Sequence, residues 1–392
     1  MKFAIKIGVV LFVFLSPSVL NVLGLSFIST YIIFFIAFLA LLKFMDLAFH
    51  KKITAYKIEL TIISVAFCYA AIRFSVMDFQ AIRQSVFFLV IPMLLSIHYQ
   101  CINLKTRDFL RKIILLFYTS ECLLAVYEQL NKKVFFPLLQ VIDGDNTFFE
   151  TSGNIDFQFR SNAFLGHPLL NALITSIILS FILISSISIR NKLFYYTIGL
   201  LALLSFNARG ALIIWSFLSL YFLVVYIRAN KYKSSKILLI LFFYVLLFFG
   251  LGYLILNFGF GDRLIMGEVL DASAMSRFSV LNVFDFIPEL DFWIGNSNNV
   301  KLAMNKINAA GIENGFIVVI INYGIIISTV LFCLYMIWLK KLFKTLDNWK
   351  VTFILIGFIV VGSTNNSLAA FVTWVFFIIV YAAFLPIIQR DK

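Results

Sequence analysis

Long apolar runs recur along the whole chain, and they limit the folds that it can adopt. The runs cover 3–20, 26–42, 58–74, 82–99, 112–130, 168–189, 193–207, 210–227, 237–256, 312–338, 351–363 and 368–388. A helix needs about 20 mostly apolar residues to cross a bilayer, so twelve such helices use about 240 residues. The runs predict an all-α integral membrane protein with about 12 transmembrane helices (range about 10–12, because two runs are short). We expect one polytopic membrane domain over residues 1–392.

The composition excludes a soluble fold. Of the residues, 62% are hydrophobic and 13% are charged, whereas soluble chains have about 45–50% apolar and about 25% charged residues. The net charge of +13 comes from Lys and Arg that cluster after every second apolar run, for example at 51–57 and 228–236. This alternation follows the positive-inside rule. We therefore expect both termini in the cytoplasm, with the basic residues facing the lipid bilayer and no nucleic-acid partner.

Two long polar segments lie on the opposite side of the predicted membrane, at 131–167 and 257–311. Connections longer than about 12–15 residues usually have a function or are disordered. The apolar spacing across 280–287 predicts a short helix lying flat on the membrane surface. These two long periplasmic loops are the places where we expect a functional site, although a surface lid without chemistry is the simpler alternative.

Four arginines lie in these segments or at the adjoining helix ends: Arg160, Arg209, Arg263 and Arg277. An arginine at membrane depth is costly unless it is paired or faces a polar cavity. Guanidinium groups bind phosphate oxygens through two parallel hydrogen bonds. The pattern favours an anion site, while the alternatives are an interfacial anchor for Arg209 and ordinary loop charges for the others.

Three further side chains are candidates. Glu313 stands where the tenth run begins, and a partly desolvated carboxylate there is suited to accept a proton; a helix N-terminal acid is the alternative. His167 precedes Pro168 and could instead cap a helix. Glu121 lies inside a run, so we expect it to pair with an arginine of a neighbouring helix.

Arg73 and Arg83 flank Asp78, which predicts a local ion pair. No spacing of His, Cys, Asp or Glu predicts a metal site, and the four cysteines predict no disulfide framework. We therefore expect no cofactor and no metal.

Read in order, several short motifs resemble those of the O-antigen polymerase and O-antigen ligase superfamily of bacterial envelope glycosyltransferases. The motifs are Arg160 with Gly166-His167-Pro168, Asn207-Ala208-Arg209-Gly210, Ser276-Arg277 with Phe292-Trp293-Ile294-Gly295-Asn296, and Glu313-Asn314-Gly315-Phe316 with Gly324. The resemblance covers most of 155–330, and the first 130 residues match only as a hydropathy profile.

The resemblance implies a fold similar to that of the C-type glycosyltransferases and a location in the bacterial inner membrane. It implies inverting, metal-independent glycosyl transfer on the periplasmic face, with donor and acceptor glycans carried on undecaprenyl diphosphate. Catalytic roles would fall to Glu313, Arg209 and Arg277, and substrate binding to Arg160, His167, Asn314 and Arg263. A chain-length regulator is a partner that this interpretation allows.

Ligases of the superfamily place a histidine where this chain has Glu313-Asn314, so the resemblance favours a polymerase. The first alternative is an O-antigen ligase that transfers finished polymer to lipid A–core. The second is a flippase for the same lipid-linked oligosaccharide. Transporters tend to carry internal repeats and ionisable groups near the midplane, and here only Glu121 fits that description.

Overall fold

The protein is described by a computed structural model over residues 2–50, 52–137, 159–229, 234–261, 280–306, 312, 314–364 and 366–388. Every regular element in these ranges is helical. The α-helices are α1 (Lys2–Phe14), α2 (Pro17–Val22), α3 (Ile28–Phe49), α4 (Lys57–Ser75), α5 (Phe79–Ser85), α6 (Ile91–Gln100), α7 (Leu104–Asn131), α8 (Pro168–Ile184), α9 (Ile189–Ser205), α10 (Arg209–Ala229), α11 (Ser234–Phe258), α12 (Glu289–Ile294), α13 (Asn299–Lys306), α14 (Gly315–Leu342), α15 (Asn348–Leu355), α16 (Val361–Ser363) and α17 (Phe371–Ile388). Short 3₁₀-helices lie at Ile53–Tyr56, Val280–Phe286 and Asn366–Ala369, and π-helical turns join α5 to α6 and α15 to α16.

The predicted all-α class is confirmed, and each of the twelve apolar runs coincides with one or more helices. Among the described residues, five continuous helical stretches are long and apolar enough to cross a membrane: Ile28–Phe49, Ile53–Ser75, Phe79–Gln100, Arg209–Arg228 and Gly315–Leu342. Shorter apolar helices lie at Phe3–Phe14, Pro168–Ile184, Phe242–Phe258, Asn348–Ser363 and Phe371–Leu385. These helices indicate a multi-pass membrane protein. The helices α7 and α9 also match predicted runs, but they are neither among the five long apolar stretches nor among the shorter apolar helices.

The centre of the bundle is formed by α7, α8, α9 and α17. Nearly every residue of α8 is buried, including all of 171–184. A helix that is apolar on all sides is suited to such a position. By contrast, α3 and α11 expose large side chains such as Phe38, Phe242 and Phe249. These exposed rings give the bundle an apolar outer surface, as a lipid-facing helix requires.

One end of the bundle is closed by a buried ion pair. The carboxylate of Glu59 in α4 is fully buried, and its Oε2 lies 2.7 Å from Lys341 Nζ of α14. Gln100 of α6 donates a hydrogen bond to Glu59 Oε1 at 3.0 Å. The Glu59 carboxylate thus joins α4, α6 and α14, and each of its two oxygens has a hydrogen-bond donor. We call this end the basic end.

The long helix α14 is broken at Gly324, where φ is 73° and ψ is 161°. The backbone at Gly295 (φ 80°, ψ 154°) packs directly into this break, and a Cβ at either glycine would overlap the backbone of the other segment. Asn296 N donates a hydrogen bond to Ile321 O at 2.9 Å. The segment after α12 therefore acts as a wedge in the break of α14.

The carbonyls freed by the break find other donors. Tyr69 Oη of α4 donates to Asn322 O, and Ser328 Oγ donates to Val319 O at 3.2 Å. Unpaired backbone groups are expensive in an apolar environment. The backbone carbonyls of 319, 321 and 322 thus have donors outside the helix pattern, while the buried side-chain oxygen of Asn322 has no hydrogen-bond partner among the described residues.

The short helix predicted near 280–287 is present as the 3₁₀-helix Val280–Phe286. Its apolar residues Val280 and Val283 are buried in a small cluster with Ala303, Ile317 and Ile321. The helical spacing thus buries a face against α13 and α14. The predicted contact of this helix with the membrane surface stays a prediction.

We predict that Gly324→Ala destabilises the protein by about 1–3 kcal/mol, because its backbone conformation is nearly restricted to glycine and a Cβ would overlap the wedge. The measurement is thermal unfolding in detergent, followed by tryptophan fluorescence. The control is Gly250→Ala in α11, where a Cβ meets nothing within 4 Å and alanine favours the helix. Equal melting temperatures for the two variants would contradict the proposed wedge contact.

Candidate functional site

The end opposite the basic end gathers four of the candidate residues. Here α7 and α9 end and α8, α10 and α14 begin, so Arg160, His167, Arg209 and Asn314 all lie at helix termini or in the turns beside them. A hydrogen bond of 2.8 Å from Gln129 Nε2 to Gly259 O joins the ends of α7 and α11 there. We call this end the loop end.

Arg160 is held beside the turn that carries Arg209. We call residues 160–167 the strap. They form the last part of the first long polar segment and lead into α8. Ser161 N donates to Ser205 O at 3.0 Å, and Arg160 Nε donates to Phe206 O at 3.2 Å. Arg209 opens α10 three residues later. The fold thus brings these two predicted cationic groups to one corner of the bundle.

Two buried carboxylates of α7 hold the other side of the strap. Glu128 Oε2 accepts hydrogen bonds from Ser161 Oγ, Asn162 N and Ala163 N at 2.5, 2.8 and 2.9 Å. Glu121 Oε2 accepts one from Phe164 N at 3.1 Å.

The prediction that Glu121 pairs with an arginine is wrong for the described residues. The partner of its carboxylate is the backbone N–H of Phe164. Glu128 was not predicted to have a role. The sequence signal was present, however: two carboxylates lie two helical turns apart on one face of an otherwise apolar segment.

His167 caps α8. Its Nδ1 accepts a hydrogen bond from Leu170 N at 3.4 Å, its backbone is extended, and Pro168 follows at the first helical position. Burial first, and then the charge of Arg160, lower the pKa of His167 to about 4. The ring is therefore neutral near pH 7. Its hydrogen bond with Leu170 N is that of a helix cap, which was the alternative to a substrate-binding role.

Asn314 caps α14 in the same way. Its Oδ1 accepts from Phe316 N at 3.0 Å and from Ile317 N at 3.2 Å. Such a cap satisfies two of the N–H groups that every helix start leaves open. The described hydrogen bonds of the Asn314 oxygen thus fix the start of the helix, next to Glu313.

A polar turn that sequence reasoning missed connects these two halves of the site. A Cβ at Gly210 would lie 2.9 Å from Thr364 Cβ, and a Cβ at Gly315 would lie 2.9 Å from Leu368 Cβ. Thr364 and Leu368 therefore contact the starts of α10 and α14, respectively. The signal of this turn was the run of Ser, Thr and Asn at 363–367 between two apolar runs.

An apolar cavity of about 290 Å³ extends along α14, and it reaches the loop end. Its lining includes Gly315 and Leu368 at that end and Leu339 towards the other. Phe88, Ile359 and Trp374 form parts of its other walls. A cavity of this shape is suited to a hydrocarbon chain that lies along a helix.

The predicted ion pair near Asp78 is present. Arg73 Nε lies 3.9 Å from Asp78 Oδ2, and Ser297 Oγ donates to Asp78 Oδ1 at 3.0 Å. The pair therefore also ties the end of α4 to the segment between α12 and α13.

Arg263, Arg277 and Glu313 lie outside the described residues, so their predicted roles stay predictions. Over the ranges that the structure does describe, no group of three His, Cys, Asp or Glu side chains could hold a metal ion. No family model matches the sequence, and no curated protein matches it.

We predict that His167→Asn reduces the loss of stability on acidification. The folded pKa of about 4 lies below the usual 6.5, so the unfolded chain binds a proton first and stability falls as the pH drops from about 6.5 towards 4. Asparagine is a good helix cap and does not titrate. The measurement is the melting temperature at pH 7.5 and pH 5.

His50→Asn is the control, because His50 is exposed and lies beside Asp46, away from the strap. This variant should lose as much stability on acidification as the native protein. A His167→Asn protein that loses as much as the control would refute the assignment.

Proposed function

We propose that this chain is a membrane glycosyltransferase of the O-antigen polymerase type. It joins undecaprenyl-diphosphate-linked oligosaccharide repeats into O-antigen or a related surface polysaccharide, on the periplasmic face of the bacterial inner membrane. The proposal includes about 12 membrane passes, both termini in the cytoplasm, and a fold similar to that of the C-type glycosyltransferases.

The observation that carries the proposal is the hydrogen bond from Arg160 to the turn before Arg209, at the same end of the bundle where α14 starts and the apolar cavity begins. A lipid diphosphate needs these two environments side by side. Guanidinium groups bind the phosphate oxygens, and the apolar cavity accommodates part of the polyprenyl tail.

The remaining residues of the proposed site are attached at the same end. Arg263 and Arg277 belong to the segment between the end of α11, which is joined to Gln129, and Val280, which packs beside α14. Glu313 directly precedes the cap of α14. Each of the three residues is within three positions of a described residue at this end, which supports a common site for them.

In the proposed reaction, the hydroxyl of the acceptor sugar attacks the anomeric carbon of the donor from the face opposite the diphosphate. Glu313 accepts the hydroxyl proton as the new glycosidic bond forms, and the bond between the anomeric carbon and the phosphate oxygen breaks. Undecaprenyl diphosphate leaves, and Arg209 and Arg277 stabilise its developing charge electrostatically. The attack from the opposite face inverts the anomeric configuration, and no metal takes part.

Transport of the same glycolipid is less well supported. A flippase has to open at both ends in turn, and the basic end is tied by the buried Glu59–Lys341 pair. A ligase would use the same cationic groups, so only the fate of the product separates it from a polymerase.

We predict that Arg209→Ala or Arg277→Ala lowers polymer formation by about 10²–10³-fold, since each removes a charged donor from the leaving group. Glu313→Gln should lower it by about 10²–10⁴-fold through loss of the base. The measurement is the banding of surface polysaccharide at matched protein levels in the membrane. The control is Arg228→Ala in the last turn of α10, at the other end of the helix that Arg209 opens. Normal banding in both arginine variants would refute the proposed phosphate clamp.

We predict that deletion of the gene leaves single repeats attached to lipid A–core, because transfer to core remains while repeat joining is lost. The measurement is gel analysis and mass spectrometry of the glycolipids. Free polymer on its lipid carrier would instead identify a ligase, and repeats trapped on the cytoplasmic side would identify a flippase.

A further inference from the structure

We infer that Glu128 is a positioning residue: its buried carboxylate fixes the strap so that Arg160 lies against the turn that carries Arg209. This inference deepens the proposed function and rests on it for the role of the two arginines. The contacts of Glu128 themselves are independent of any activity.

Every described partner of the Glu128 carboxylate is a hydrogen-bond donor. The side chain is fully buried in α7. Its Oε2 accepts from Ser161 Oγ, Asn162 N and Ala163 N, and its Oε1 accepts from Phe135 N at 2.8 Å. A carboxylate offers about four lone-pair sites and no proton of its own when it is ionised. The four described donors are thus matched by acceptor sites on the two oxygens, with three at Oε2 and one at Oε1.

The strap depends on this acceptor for its conformation. Ala163 has a φ of +40°, a conformation that residues other than glycine adopt rarely. The N–H groups of three consecutive residues, Asn162, Ala163 and Phe164, point at the carboxylates of α7. Successive N–H groups of a turn can form such a concave anion site. Without the Glu128 carboxylate, the buried N–H groups of Asn162 and Ala163 would lose their acceptor.

The opposite side of the strap contacts the turn before α10. Ser161 N donates to Ser205 O, while Arg160 Nε donates to Phe206 O. The strap therefore lies between the carboxylate of α7 and the turn before α10. Glu128 controls the position of Arg160 from within the bundle, through the backbone of the strap.

Glu121 supplies a matched comparison on the same helix. It is also buried, but it has one described hydrogen bond, and its Oε1 has no hydrogen-bond partner among the described residues. A glutamine at 121 can keep its oxygen on Phe164 N. A glutamine at 128 must turn its NH₂ group towards Phe135 N or towards the three donors of the strap. The same substitution therefore has different consequences at the two positions.

Hydrogen exchange tests the inference without any substrate. The N–H groups of Asn162 and Ala163 donate to Glu128, and that of Ser161 donates to Ser205 O, so their exchange rates report how well the strap is held. The full-length protein in detergent is exchanged and digested, and the peptide that contains 160–164 is followed by mass spectrometry.

We predict that Glu128→Gln raises the exchange rate of the strap N–H groups by about tenfold, as expected when a buried donor loses its acceptor. Glu121→Gln should stay within about twofold of the native protein, because its hydrogen bond can be kept. Equal rates in the two variants would overturn the inference. Should Glu128→Gln fail to accumulate, Glu128→Asp replaces it: this variant keeps the charge on a shorter side chain and should also raise exchange, and an unchanged rate overturns the inference.

Polymer formation at matched protein levels in the membrane supplies the second readout, and the melting temperature of each variant is measured alongside. Glu128→Gln should produce little polymer, whereas Glu121→Gln should produce nearly the native amount. Loss of polymer that follows the melting temperature in both variants, and not the exchange of the strap, counts against a positioning role. Faster strap exchange in Glu128→Gln together with normal polymer in Arg209→Ala and Arg277→Ala would refute the proposed function and leave the role of Glu128 in holding the strap intact.

Discussion

Backbone N–H and C=O groups that are removed from water need partners, and the loop end of this bundle is organised by that requirement. Helical segments satisfy their own groups, but the strap and the break in α14 cannot. In the strap, the carboxylates of Glu128 and Glu121 accept the exposed N–H groups. In the break, Asn296 and Tyr69 donate to the freed carbonyls. The irregular backbone at these two places therefore keeps hydrogen-bond partners for the groups named here.

The two ends of the bundle use charge in different ways. At the basic end, Glu59 and Lys341 pair side chain to side chain and join three helices. At the loop end, the buried carboxylates of α7 bind main-chain groups of the strap, and Arg160 Nε donates to the turn on its far side. The described partners of the Glu128 carboxylate are three N–H groups and one hydroxyl group. Glu128 therefore holds the strap on the side away from the contact of Arg160 with the turn.

The sequence predicted the helices well because apolar length is a local property of the chain. The short run at 193–207, for example, corresponds to α9. The caps formed by His167 and Asn314 were also within reach, since polar residues before helices commonly act in this way. The partners of Glu121 and Glu128 were not, because backbone N–H groups more than 30 positions away leave no mark on the residue pattern. The contact between Gly295 and Gly324 depends likewise on backbone approach, which side-chain identity does not encode.

A carboxylate that binds main-chain N–H groups makes few demands on the side chains of the segment that it holds. The hydrogen bonds at 162–164 require only an N–H group, which proline alone lacks. The chemical identity of these side chains can therefore change while the path of the strap stays the same, within the limit on size that the burial of Asn162 and Ala163 sets. Distant relatives of this protein would then be recognised better by a buried acid on α7 and a pair of facing glycines than by the residues that surround the arginines.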